Sequence, residues 1–250
     1  MSHALRTAGL TKTWGRFTAN EDVTLALPVG ARHALIGPNG AGKTTLVNLL
    51  AGVLLPTRGD VFLGETRITK LTQHERVKRG LARTFQVNNL FPGLTARESV
   101  TLAVCERTGT AWNGWRRWER CRAEREEADG LLAAMGLADV ATIETRHLAY
   151  GRQRLLEIAL ALATKPRVLL LDEPAAGVPK AESETVLSAI AALPADVTIL
   201  FIEHDMDLVF RFAQRITVLV GGRILMEGTP AEVAADPRIR EVYLGEAVHA

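Results

Sequence analysis

At 250 residues the chain is long enough to bury a sizeable core, and 47% hydrophobic with 23% charged residues is ordinary for a folded globular protein. A formal net charge of +2 is too small to argue for nucleic acid by itself, and Cys105 and Cys121 lack metal-ligand spacing, which favours reduced thiols in a cytosolic protein. The start, Met1-Ser2-His3-Ala4-Leu5-Arg6, has no apolar signal core, and the longest apolar runs (155–163 and 168–171) fall short of the roughly 20 residues that span a bilayer, so no membrane crossing is expected.

In chain order, the first 30 residues alternate apolar and polar positions (Ala8, Leu10, then Val23, Leu25, Leu27), which predicts short antiparallel strands. Residues 31–36 read as a strand running into a glycine-rich turn at 37–42. Helical apolar spacing follows over 43–53 at Leu46, Leu49, Leu50 and Val53. Residues 59–69 read as a hairpin with Val61, Leu63 and Ile68 inward, and 81–85 as a strand. From 95 to 141 the pattern turns helical, with dense charge over 116–129. Helices are expected at 153–163 and 181–192, and strands at 167–171 and 197–202. The tail holds strands at 216–220 and 224–226 around Gly221-Gly222, then a closing helix near 239–244. Strands alternating with helices predict an α/β core with parallel pairing.

Gly37-Pro38-Asn39-Gly40-Ala41-Gly42-Lys43-Thr44 fits the phosphate-loop pattern. Glycines let backbone N–H groups converge on phosphate oxygens, and the next helix presents its positive end to them. Lys43 supplies a point charge to the terminal phosphates, and the Thr44 hydroxyl can ligate Mg²⁺, with Thr45 beside it. Val168-Leu169-Leu170-Leu171-Asp172-Glu173 is an apolar strand ending in two carboxylates. Asp172 would face the metal at the sheet edge, and Glu173 would orient or deprotonate an attacking water. Gln86, after the 81–85 strand, could reach Mg²⁺ and that water. His204, after the 197–202 strand, could contact the γ-phosphate.

The order of phosphate loop, Gln86, helical segment, Leu148-Ala149-Tyr150-Gly151-Arg152-Gln153-Arg154, Asp172-Glu173 and His204 resembles the ATP-binding subunit of an ABC transporter across essentially the whole chain. The resemblance implies a P-loop NTPase (RecA-like) core with an antiparallel β-subdomain and an inserted helical subdomain, approximately 95–150, within one ABC ATP-binding domain over 1–250. It also implies that Trp14 stacks on adenine, and that Ala149 and Gly151 contact ATP bound on a partner. Gly80-Leu81-Ala82-Arg83-Thr84-Phe85-Gln86, Leu171-Asp172-Glu173-Pro174-Ala175-Ala176-Gly177 and Asp236-Pro237-Arg238-Ile239-Arg240-Glu241-Val242-Tyr243-Leu244-Gly245 are similar to the branched-chain amino acid importer type. Such subunits use ATP and Mg²⁺ and sit peripherally at the cytoplasmic face of the inner membrane. They lie under two transmembrane permease subunits fed by a substrate-binding protein, and pair with a second ATP-binding subunit.

Two stretches depart from the family pattern. Ala149 stands where the family normally has serine, and Tyr150 where it commonly has glycine; losing one hydrogen bond to a charged group costs about 1.5–3 kcal/mol. After Gly177, Val178 runs directly into Pro179, where the family has an Asp or Asn before the proline. Both departures bear on what this chain gives its partner's ATP, which favours a heterodimer of unequal sites over a homodimer. Trp112, Trp115 and Trp118 with Arg116 and Arg117 could stack on nucleic-acid bases, but Glu119, Glu124, Glu126 and Glu127 oppose phosphates, so permease or surface contact is favoured and no nucleic acid is expected. Alternatives are the ATPase of a lipid or lipopolysaccharide exporter, or a soluble non-transport ABC ATPase; a small-molecule P-loop kinase leaves 148–154 unexplained.

Overall fold

The computed structural model describes residues 2–84, 90–110, 121–239 and 241, with the side chains of Lys180 and Ala181 left aside. Among these, eleven strands and eight α-helices form two sheets with helices around them. The N-terminal strands β1 (His3–Trp14), β2 (Phe17–Val23) and β3 (Ala26–Pro28) join β5 (Arg58–Leu63) and β6 (Thr66–Arg67) in an antiparallel sheet of order β2-β1-β5-β6, with β3 also on β1. The expected alternation in β1 breaks at Gly9. Leu5, Thr7 and Leu10 are buried while Ala8 is exposed, because a register shift between Ala8 and Thr11 switches the face the strand presents. Val61, Leu63 and Ile68 are buried as expected.

The second sheet has the order β11-β10-β4-β9-β8-β7. Its strands are β4 (Arg32–Ile36), β7 (Leu81–Arg83), β8 (Val168–Asp172), β9 (Thr198–Ile202), β10 (Arg215–Val220) and β11 (Arg223–Gly228). All pairings are parallel except β10 with β11. Every residue of β8 and β9 is buried, as strands covered on both faces require. Alternate residues feed two cores. Leu35, Leu170, Leu200 and Leu219 pack with α1 (Lys43–Ala51) and the antiparallel sheet, whereas Ile36, Leu169, Phe201 and Val218 face the other helices. Each such side chain contributes on the order of 1.5–3 kcal/mol on burial.

The helical expectation over 95–141 resolves into α3 (Ala96–Thr108) and α4 (Arg122–Ala134), which pack on each other and on α5 (Tyr150–Ala163). Helix α6 (Lys180–Ala191) matches expectation. Three short helices were not expected: α2 (Gln73–Lys78), α7 (Met206–Phe212) and α8 (Pro230–Ala235). Most of the expected closing helix near 239–244, and the Trp112–Arg117–Trp118 cluster, lie outside the described residues.

Candidate nucleotide site

The carboxyl ends of the adjacent strands β4, β9 and β8 carry the chemistry. From β4 the chain enters the glycine loop and then α1, whose N-cap Gly42 makes no side-chain cap hydrogen bond. The orphan N–H groups of the first turn are therefore left for another acceptor. Gly42 has φ 95°, and a Cβ there would collide with the Ala19 carbonyl oxygen, so only glycine fits. Lys43 is buried, and its Nζ donates to the Gly37 and Pro38 carbonyls at 2.6 and 3.0 Å, which holds the ammonium against the loop.

Asn39, Gly40, Ala41, Gly42, Lys43, Thr44 and Thr45 line a cavity of about 280 Å³ together with Phe17, Ala19, Glu173 and His204. Glu173 and His204 line the same cavity as the loop, 31 positions apart in sequence but with His204 Nε2 2.7 Å from Glu173 Oε1. An ionised carboxylate accepts only, so the imidazole donates. Glu173 has φ 51°, a left-handed backbone that β-carbon residues rarely adopt, and its amide donates to the Ile202 carbonyl at 3.1 Å. Such backbones persist where surrounding contacts over-determine them, commonly at active sites. The next turn is pinned by Glu203, whose Oε1 accepts from the Ala175 N–H at 2.9 Å. Burial pushes the Glu203 carboxyl up, against the lowering by the Ala175 and His204 amides.

Asp172 is buried at the end of β8, and Arg83 donates to its Oδ2 at 2.6 Å. Trp14 and Phe17 flank the β1–β2 turn with ring centroids 6.5 Å apart and an interplanar angle of 15°, and Phe17 is the member of the pair that lines the cavity. Gln86 lies outside the described residues. Ala149 and Gly151 line a different cavity, about 310 Å³, with Arg152, Leu155 and Glu182. Within one chain, then, the 148–154 stretch and the phosphate loop occupy separate sites. Tyr150 accepts a 2.7 Å hydrogen bond from Arg154, and its ring sits over Gly177. Phe17, Arg83 and Glu203 were missed from sequence. An exposed aromatic three residues after Trp14 was the available signal for Phe17; nothing local marks the other two.

A glycine loop, an acidic pair and a histidine meeting at the carboxyl edge of a parallel sheet make this a P-loop nucleoside-triphosphatase. The model of the ABC transporter family matches residues 20–176, and the chain belongs to that family. It is an ATP-binding, ATP-hydrolysing subunit of the ABC type. A second model, of the branched-chain amino acid ATP-binding cassette transporter, matches residues 223–249. The chain is 38% identical over 252 residues to the high-affinity branched-chain amino acid transport ATP-binding protein BraF of Pseudomonas aeruginosa, covering 97% of this chain and 98% of that one. It is 39% identical over 246 residues to the corresponding protein LivG of Salmonella typhimurium, covering 96% of each. The ADP conformation of MJ1267, an ATP-binding cassette of an ABC transporter, superimposes with a TM-score of 0.84 at 29% identity, covering 98% of this chain and 99% of that one.

Proposed function

We propose that this chain energises import of branched-chain or related amino acids as one ABC ATP-binding domain over 1–250, with a helical subdomain at approximately 95–150. The observation that carries the reading is the Glu173–His204 pair at the phosphate-loop cavity, with 148–154 on a separate cavity of the same chain. The match over 223–249 and the two relatives support the amino acid class.

In this reading Trp14, helped by Phe17, takes adenine. The N–H groups of 37–42 and Lys43 take the phosphates. Thr44 and Asp172 are hard oxygen donors that fit Mg²⁺, with Gln86 completing the set; the ion would neutralise charge developing on the phosphates. Glu173 accepts the proton of the attacking water, His204 orients Glu173 and meets the γ-phosphate, and Ala149 and Gly151 face ATP on the second ATP-binding subunit. Ala149 lacks a hydroxyl, which supports a heterodimer whose two sites differ. A groove of about 590 Å³ between α2, β7 and α5, lined by Val77, Leu90 and Leu160, suits an apolar segment of one of the two permease subunits. No described helix is long and apolar enough to cross a membrane. As the ATP-binding subunit of an importer, the chain would sit peripherally at the cytoplasmic face of the inner membrane.

The test is reconstitution with two permease subunits and a substrate-binding protein in vesicles. ATP-dependent uptake of labelled leucine, isoleucine or valine is expected, and Glu173→Gln abolishes it. A complex that hydrolyses ATP yet moves no amino acid, or moves lipid instead, overturns the reading.

A further inference from the structure

One side chain belongs both to the groove and to the Asp172 carboxylate. Arg83 ends the edge strand β7, in register with Leu170 two residues before Asp172. Its Nη2 donates to Asp172 Oδ2 at 2.6 Å, and its Nη1 donates to Asn48 Oδ1 on α1 at 2.5 Å. Side-chain exposures of 9% and 1% for Arg83 and Asp172 shut this ion pair away from bulk water. Arg83 also lines the groove, beside Val77, Leu90 and Leu160. Its third donor, Nε, is buried with no acceptor among the described residues.

A guanidinium is a rigid fork with donors in fixed directions, so it cannot turn toward a new acceptor without disturbing the bonds it already makes. A carboxylate that shares one oxygen with a buried cation also binds a second cation less well. We propose that Arg83 is a positioning residue that links the groove to the metal carboxylate. With the groove empty, the fork occupies Asp172 Oδ2. A carbonyl or carboxylate of a permease segment seated in the groove draws the groove-lining part of the side chain toward it, so that the fork rotates, Nε gains an acceptor and Oδ2 is yielded to the metal side. The idea rests on the reading of Asp172 as a metal ligand and of the groove as the permease seat.

The probe is Mn²⁺ bound to the full chain loaded with a non-hydrolysable ATP analogue, followed by the resonance signal of the free ion. Arg83→Gln is expected to bind Mn²⁺ at least about fivefold more tightly than the unaltered chain, and to lose at least about fivefold of the stimulation of hydrolysis by permease subunits, the scale of a coupling between sites. Arg83→Lys keeps a buried cation, which protects folding, and is expected to shift both readouts in the same direction by less. A merely structural arginine would lower the melting temperature of the variants without tightening Mn²⁺ binding, and that result overturns the proposal. Tighter Mn²⁺ with undiminished permease stimulation overturns the link to the groove. If the unaltered chain is not stimulated by permeases, the transporter reading fails instead, while the Mn²⁺ titration of the isolated chain still decides the role of Arg83.

Discussion

Acid should destabilise this fold through one buried histidine. His33 lies on β4, just before the phosphate loop, and is fully buried. Its Nε2 is 2.7 Å from Thr217 Oγ1, and the Thr217 hydroxyl donates to Glu227 Oε2 at 3.4 Å. That chain of donors places the imidazole proton on Nε2 and leaves Nδ1 bare; Nδ1 has no partner among the described residues. Protonation would add a buried N–H with no acceptor. Burial accordingly pulls the His33 pKa from 6.5 to about 4, with Glu227 opposing and Arg215 reinforcing the shift. The unfolded chain takes up a proton below pH 6.5 that the folded chain refuses until about pH 4, so stability falls as pH drops through this window. At 1.36 kcal/mol per pKa unit the full loss is about 3 kcal/mol, of which most, about 2.5 kcal/mol, is reached by pH 4.5. Other groups titrate too, so the measurement is a difference. Urea unfolding of the unaltered chain and of His33→Gln, which keeps a donor toward Thr217 but does not titrate, is compared at pH 7.5 and pH 4.5. The stability gap should move by about 2–3 kcal/mol in favour of the variant. A gap constant to within about 0.5 kcal/mol would refute the argument, because the histidine would then be charging inside the fold.

Three further outcomes are expected. Glu173→Gln keeps the side-chain shape beside His204 but loses the proton acceptor, so phosphate release should slow by about 10²–10⁴-fold while binding of a fluorescent ATP analogue is retained; a loss under about threefold would remove Glu173 from the chemistry. Arg76 is fully buried, its pKa drawn down to about 10 by burial, and it donates to the carbonyls of Leu49, Leu50, Thr69 and Leu71 at 2.6–3.1 Å. Arg76→Met removes the donor to these carbonyls, two at the end of α1 and two in the segment before α2, and should cost about 3 kcal/mol or more in chemical unfolding; a cost below about 1 kcal/mol would mean water replaces the guanidinium. The two glycines should respond differently to alanine. Gly42→Ala meets backbone at a positive φ and should cost about 1–3 kcal/mol with loss of nucleotide binding, whereas a Cβ at Gly151 clashes only with the carboxylate oxygen of the exposed Glu182 side chain, which can swing aside, and meets the rest of that side chain at ordinary contact distance. Equal effects in thermal melts and nucleotide titrations would contradict that contrast.

What could be read from the sequence depended on whether a local pattern carried the information. The loop at 37–44 and strand β8 declare themselves, because glycine spacing and an unbroken apolar run have few other physical explanations. Helix α2 has no apolar stripe: its buried residue is Arg76, so hydrophobic periodicity cannot find it. The cue that did exist was the capping box of Thr72 and Glu75, repeated by Thr229 and Glu232 at α8. Strand β1 misled at Ala8 because the bulge near Gly9 is set by pairing with β5, not by composition. The Arg83–Asp172 bridge spans 89 positions and exists only because β7 and β8 pair in parallel. His33 in a strand reads as a surface position until Thr217, 184 positions away, is seen to satisfy it.

The substitution at Tyr150 has a structural consequence that a missing serine at 149 does not. Where glycine would be silent, the tyrosine hydroxyl accepts from Arg154 and the ring rests on Gly177, in the loop that follows Glu173. Arg154 pairs with Glu157 at 2.8 Å, with side-chain exposures of only 5% and 8%, and Glu157 lines the same groove as Arg83. Breaking such a buried pair leaves an uncompensated charge at a cost of about 3–5 kcal/mol, so the contacts move together or not at all. From one groove, then, Arg83 reaches the chain's own acidic pair, and Glu157 with Arg154 reaches the stretch proposed to face the partner's ATP. A segment seated in that groove would bear on both nucleotide sites at once, and in a heterodimer it would do so unequally, because the side chains at 149 and 150 differ from the family pattern on this subunit.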